Sequence, residues 1–208
     1  MKYQNMILDY GNVLGAFDPK YILDQFCDSE EDFSILYDVV YRDWLSLDDG
    51  SADYRTYILD ALSRLPERLH PHAKAFFRAW YLHYPGIRST WDMVKHWKEE
   101  GRNLYLLSNA SAYFAEHAME VCPVLEFFDG ILFSGPNKCA KPGEQIYQLL
   151  FHQFGLKPEA CFFIDDSPAN IDAAKKCGMN GMVFDGTREK ASVIVERLAM
   201  EEKDESKF

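Results

Sequence analysis

In this 208-residue chain, polar side chains suited to chemistry recur where apolar runs stop. Asp9 follows Met6-Ile7-Leu8 and precedes the Gly11-Asn12 break; Ser108-Asn109 ends "LYLLSNAS"; Lys141 stands before Pro142 in "NKCAKPGEQ"; and Asp165-Asp166 follows "CFFI". Each has an ordinary explanation alone: an Asp closes a strand, a Ser-Asn pair caps a helix, a lysine is solvated. Asp165-Asp166 resists that reading, because two adjacent acids where a strand leaves the core need a cation. If Asp9, Asp165 and Asp166 converge within about 4 Å, each like-charge contact costs about 4 kcal/mol at an effective dielectric near 20. A divalent ion removes that cost. Oxygen donors without His or Cys select a hard ion, and so few carboxylates suit Mg²⁺ better than Zn²⁺ or a full calcium cage. A metal beside a lysine attracts phosphate, and an aspartate facing it can attack phosphorus and form an aspartyl-phosphate. Ser108, the Asn109 backbone amide and the turn after Asp9 would hold its oxygens, with Mg²⁺ and Lys141 neutralising charge.

Those residues meet only if the strands carrying them share one sheet edge. Residues 19 to 84 repeat apolar side chains at three- and four-residue steps, which predicts a block of helices. Asp18 before Pro19 suits a helix N-cap, and "DDGSAD" a tight loop. From Pro85-Gly86 onward helices alternate with the short apolar strands "NLYLLS", "GILFS", "ACFFID" and "NGMVFD". That rhythm predicts an α/β fold, a Rossmann-like parallel sheet covered on both faces. Residues 1–16 and 86–208 then form the catalytic core, and residues 17–85 a helical cap insertion that reads as a separate lid. In open parallel sheets ligands bind beyond the carboxyl ends of the strands, where strand order reverses. The charged tail "AMEEKDESKF" is expected to fray.

Composition narrows the partners. With 48% hydrophobic and 15% aromatic residues the chain can bury a sizeable core. A net charge of -11, from 33 acidic against 22 basic residues, repels nucleic acid and anionic membrane, and neither is an expected partner. No apolar run is long enough to span a membrane and no secretion signal opens the chain, so the expectation is a cytoplasmic protein, a monomer or weak homodimer. The five cysteines are odd in number and scattered, which predicts reduced thiols. The six histidines form no ligand pattern.

Taken in order, "LDYGNV", "LLSNA", Lys141 in "AKPGEQIY" and "FFIDDSPANI" resemble the four motifs of the haloacid dehalogenase superfamily, with the helical insertion after the first motif as in members with a small helical cap. The resemblance spans nearly the whole chain. It implies that Asp9 is the nucleophile and a metal ligand, with the Gly11 carbonyl, Asp165 and Asp166 as further ligands, and that Ser108 and Lys141 bind phosphate. Phosphatases of the superfamily usually carry a second aspartate two residues after the nucleophile, as acid and base; here that place is Gly11. Losing a positioned general acid typically costs about 10² to 10⁴ in rate. The Asp-x-Gly-Asn-Val pattern resembles a bacterial subgroup acting on sugar phosphates, including α-glucose 1-phosphate, whose anomeric oxygen leaves more readily.

The sequence therefore predicts a Mg²⁺-dependent phosphatase acting on a small phosphorylated metabolite, with a sugar phosphate as the expected substrate. A 2-haloacid dehalogenase ranks second: it too lacks the second acid, but both acids of motif four are retained here and no arginine follows motif one closely. A non-catalytic protein binding metal or a phosphorylated metabolite on the same scaffold is the third reading, supported mainly by Gly11. In the insertion, Trp44 and Asp48 of "WLSLDDGS" are the candidates for contact with a sugar. Core packing is the stronger expectation for Trp44, and a turn cap for Asp48. Asp18 is a weaker candidate for the missing proton donor than for a helix cap.

Overall fold

The computed structural model describes residues 3–185; the charged tail lies outside them. Five parallel strands, β1 (Asn5–Leu8), β2 (Asn103–Ser108), β3 (Gly130–Phe133), β4 (Cys161–Asp165) and β5 (Asn180–Val183), form one sheet in the order β3-β2-β1-β4-β5. The chain runs outward from β1 to β3, then crosses to β4 on the other side of β1, so strand order reverses between β1 and β4. Every residue of β1 is buried, as a central strand covered on both faces requires. Alternation splits the strand residues between two cores. Ile7, Leu107 and Phe163 pack beneath α9 (Glu144–Phe154) and α10 (Pro168–Lys176), while Met6, Leu8, Leu106 and Ile164 face α6 (Arg88–Glu99) and α7 (Ala112–Val121).

Between β1 and α6 lie α1 (Pro19–Asp24), α2 (Glu30–Val40), α3 (Leu45–Asp48), α4 (Tyr54–Arg64) and α5 (His70–Ala79), the last running into a 3-10 turn over Trp80–His83. The two chain segments that join this block to the sheet run side by side: Ala16 donates to Pro85 O at 2.8 Å and Ile87 to Leu14 O at 2.9 Å. The block has no core of its own. Leu36, Leu47, Phe76 and Trp80 belong to one buried cluster with Tyr10, Phe114 and the sheet residues Met6 and Leu8. The stretch "WLSLDDGS", read in the sequence as a loop, begins as a one-turn helix, α3, because Trp44 and Leu47, three apart, both turn inward.

Three contacts fix the block against the sheet domain. Tyr54 stacks on Tyr113 with ring centres 4.3 Å apart. The hydroxyl of Ser134, which opens the one-turn helix α8 (Ser134–Asn137), bonds the Asp48 carbonyl and accepts from the Ala110 amide at 2.9 Å. Gly50 adopts a left-handed φ of 74°, and a Cβ there would meet the Gly135 carbonyl oxygen at 2.2 Å, so only glycine permits this approach.

Asp18 is exposed, and its side chain accepts from the amides of Lys20 and Tyr21, capping α1 as the sequence suggested. It does not line the cavity described below. Asp18→Ala is expected to lower unfolding stability by about 1 kcal/mol in urea titrations while leaving catalytic rates unchanged. All five cysteines are free. No helix among the described residues is long and apolar enough to cross a membrane.

Candidate active site

The central strands set the site. Leu8 pairs level with Ile164, so Asp9 and Asp165 reach the carboxyl edge at one height, where the Asp9 amide bonds the Ile164 carbonyl at 2.9 Å. Lys141 lies between them. Its Nζ is 2.8 Å from Asp9 Oδ1 and 2.6 Å from Asp165 Oδ2, and donates to Leu107 O at 2.8 Å, which uses all three ammonium protons. With a side chain only 1% exposed, this lysine acts as a buried counter-charge. Asp165 also accepts from the Ser167 amide at 2.8 Å and from Asn170 Nδ2 at 2.9 Å, so its carboxylate is held in one orientation. Asp166 is partly buried, lines the cavity in front of Asp9, and is oriented by Asn12 Nδ2 at 2.8 Å.

Carboxylate oxygens of Asp9, Asp165 and Asp166 lie within 4.8 Å of one another. Three negative charges meet the single positive charge of Lys141. Burial pushes the Asp9 carboxyl up to about 6, with Lys141 opposing the rise and Asp165 adding to it. Burial alone would lower Lys141; the Asp9 and Asp165 charges outweigh it and hold its pKa above the ordinary lysine value. An all-oxygen donor set carrying uncompensated negative charge fits a hard divalent cation.

Of the residues singled out in the sequence, Asp9, Ser108, Lys141, Asp165 and Asp166 converge, and the Ser108 hydroxyl bonds the Asp9 carboxylate. Asn109 stands one step back: Nδ2 donates to Lys141 O at 2.8 Å and Oδ1 accepts from Lys141 N at 2.9 Å, so its side chain holds the lysine loop and only its backbone can serve a ligand. Gly11 lines the cavity, and Trp44 and Asp48 reach it from the helical block. Trp44 is 8% exposed and packs in the core through Tyr41 and Trp80, with its remaining surface on the cavity. Asp48 does not cap its own turn; the turn cap is Asp49, whose Oδ1 accepts from Ser51 at 2.8 Å.

Sequence reading missed Asn12, Asn170 and Tyr84. Asn12 adopts a left-handed φ of 55°, a conformation asparagine tolerates, and Gly-Asn after a strand was the available signal. Tyr84 carried none, because its place in the site depends on where the helical block docks. The cavity measures about 110 Å³, floored by Asp9, Gly11 and Asp166 and walled by Phe17, Trp44, Trp80 and Tyr84.

Fold and site define an α/β enzyme with a cluster of carboxylates at the point where strand order reverses. The family model of the haloacid dehalogenase-like hydrolases matches residues 12–178, and the chain belongs to that family. It is 26% identical over 122 residues to a phosphorylated carbohydrates phosphatase of Thermotoga maritima, covering 59% of this chain and 55% of that protein; the chain spans about half the length of the curated relatives it matches. A predicted HAD-like family hydrolase from Porphyromonas gingivalis superposes with a TM-score of 0.70 at 21% identity, over 95% of this chain and 98% of the other. A HAD family enzyme from Bacteroides thetaiotaomicron, crystallised as a point mutant with magnesium and inorganic phosphate, gives a TM-score of 0.69 at 18% identity, over 87% and 93% of the two chains.

Proposed function

We propose that the protein is a Mg²⁺-dependent phosphatase of small phosphorylated metabolites, sugar phosphates foremost, working through an aspartyl-phosphate on Asp9. The observation that carries this reading is the Asp9–Lys141–Asp165 ion triad with Asp166 beside it, opening onto a cavity. Asp9, Asp165, Asp166 and the Gly11 carbonyl would hold Mg²⁺, which when bound offsets the charge of a phosphoryl group and of the carboxylates. Asp9 Oδ is then the nucleophile, and the Ser108 hydroxyl and the amides of the turns after Asp9 and Ser108 bind the phosphoryl oxygens. Lys141 keeps Asp9 ionised for attack and fixes its orientation.

Residues 17–85 serve as the cap. Their Phe17, Trp44 and Trp80 exclude water from the aspartyl-phosphate, as a lid must if transfer is to be controlled. A cavity of about 110 Å³ is well under the roughly 300–1,000 Å³ of small-molecule pockets, so a sugar enters only when this block shifts. The magnesium and phosphate of the Bacteroides thetaiotaomicron enzyme and the phosphorylated carbohydrates named for the Thermotoga maritima protein support the reading.

The test is hydrolysis of p-nitrophenyl phosphate with Mg²⁺ and after EDTA, followed by a panel of phosphorylated sugars. Turnover is expected to need the metal and to return when it is restored. No hydrolysis of any phosphoester with Mg²⁺ would leave the proposal without support.

A further inference from the structure

Gly11 leaves a gap where a proton donor for the departing oxygen is expected, and two groups border the space. A Cβ built on Gly11 would lie 3.3 Å from the Tyr84 hydroxyl, and Asp48 enters the same cavity from α3. Burial holds the Tyr84 phenol well above its ordinary value, with Tyr10, Asp9, Asp48 and Asp166 adding to the rise. A phenol so weakly acidic keeps its proton and serves as a hydrogen-bond donor. Asp48 differs: it forms no ion pair among the described residues, does not cap its turn, and receives a hydrogen bond only from the Ser111 backbone amide. Its main chain is pinned by the Ser134 hydroxyl and by the close approach of Gly50 to Gly135, which delivers the carboxyl to a fixed place.

We infer that Asp48, carried on the helical block, is the general acid and base that replaces the side chain missing at Gly11. The inference rests on the phosphatase reading above. In the first half-reaction an Asp9 oxygen bonds phosphorus, the bond from phosphorus to the leaving oxygen breaks, and that oxygen takes the Asp48 proton. In the second, a water oxygen bonds phosphorus while its proton passes to the Asp48 carboxylate, the Asp9–phosphorus linkage breaks, and inorganic phosphate departs. Both carboxyl groups return to their starting states. Burial pushes the Asp48 carboxyl up to about 8, with the Ser111 amide opposing and Asp49 and Asp9 adding, so it carries a proton at neutral pH. The other titratable groups around it are Asp166 and Tyr10 in the same cavity, Tyr57 and Tyr84, the three phenols held above their ordinary value by burial, and Lys138, whose stem lies beside Gly50.

Phenyl phosphate and p-nitrophenyl phosphate separate the roles, since the nitrophenolate leaves without a proton and the phenolate does not. Asp48→Asn is expected to lower kcat/KM for phenyl phosphate by about 10²-fold or more and for p-nitrophenyl phosphate by far less. Wild-type phenyl phosphate turnover should fall on the alkaline side of the Asp48 titration, and that fall should vanish in the variant. Adding Gly11→Asp to Asp48→Asn should restore at least about tenfold of the lost phenyl phosphate rate. Independently of turnover, carboxyl NMR of the metal-free protein should show one group titrating near pH 8 that Asp48→Asn removes. Equal losses on both substrates, or no loss on either, would overturn the assignment. A wild-type protein inactive on both with Mg²⁺ would overturn the phosphatase reading and this inference with it.

Discussion

Asp9→Asn is expected to reduce Mg²⁺-dependent turnover by at least about 10⁴-fold, the scale on which removing a covalent nucleophile acts. The substitution keeps the shape of the side chain and an oxygen that accepts from Lys141 Nζ, so the fold should survive. It also removes one of three crowded negative charges, so thermal stability should hold or rise slightly. Two measurements separate nucleophile from bystander: kcat on p-nitrophenyl phosphate, and acid-quenched labelling with a phosphoryl donor, which should mark the wild-type chain and not the variant. Undiminished turnover in Asp9→Asn would remove Asp9 from the mechanism.

Lys141→Met should act on stability as well as on rate. The ammonium is buried against two carboxylates, and removing it leaves Asp9 and Asp165 facing each other without a counter-charge. Breaking a buried ion pair from one side costs about 3–5 kcal/mol, much of a small domain's total. Urea unfolding should reveal that deficit at pH 7. The pH dependence has a definite sign. Asp9 already has its folded pKa raised to about 6, and without Lys141 it must rise further, so the variant loses stability as pH climbs from the unfolded carboxyl value toward the folded one. The deficit should therefore narrow below about pH 4, where the carboxyl is protonated in both states. Millimolar Mg²⁺ should also raise the midpoint of the variant more than that of the wild type. A loss under about 1 kcal/mol would mean that the triad does not need its lysine.

Strand positions and the polar residues that cluster at the sheet edge were legible because apolar runs and their polar ends are local features: "NLYLLS" is β2 residue for residue, and Asp9, Ser108 and Asp165 stand where those runs stop. Lys141 was legible as a candidate, but its burial between two carboxylates was not, since that depends on parallel register between strands distant in sequence. The docking of the helical block lay further out of reach. The Ser134 bond to Asp48 and the approach of Gly50 to Gly135 join residues some eighty positions apart, and no periodicity encodes such a meeting. Ser134 itself read as the end of a strand, whereas it opens a one-turn helix. Trp44 illustrates a limit of sorting residues into packing or binding, because its ring does both.

Asn12 draws the site and the helical block together. One amide group donates to Asp166 Oδ2 at 2.8 Å and accepts from the Phe17 backbone at 3.0 Å, where the chain sets out toward α1. One rigid side chain thus ties the position of Phe17, at the mouth of the helical block, to that of Asp166 on the floor of the site.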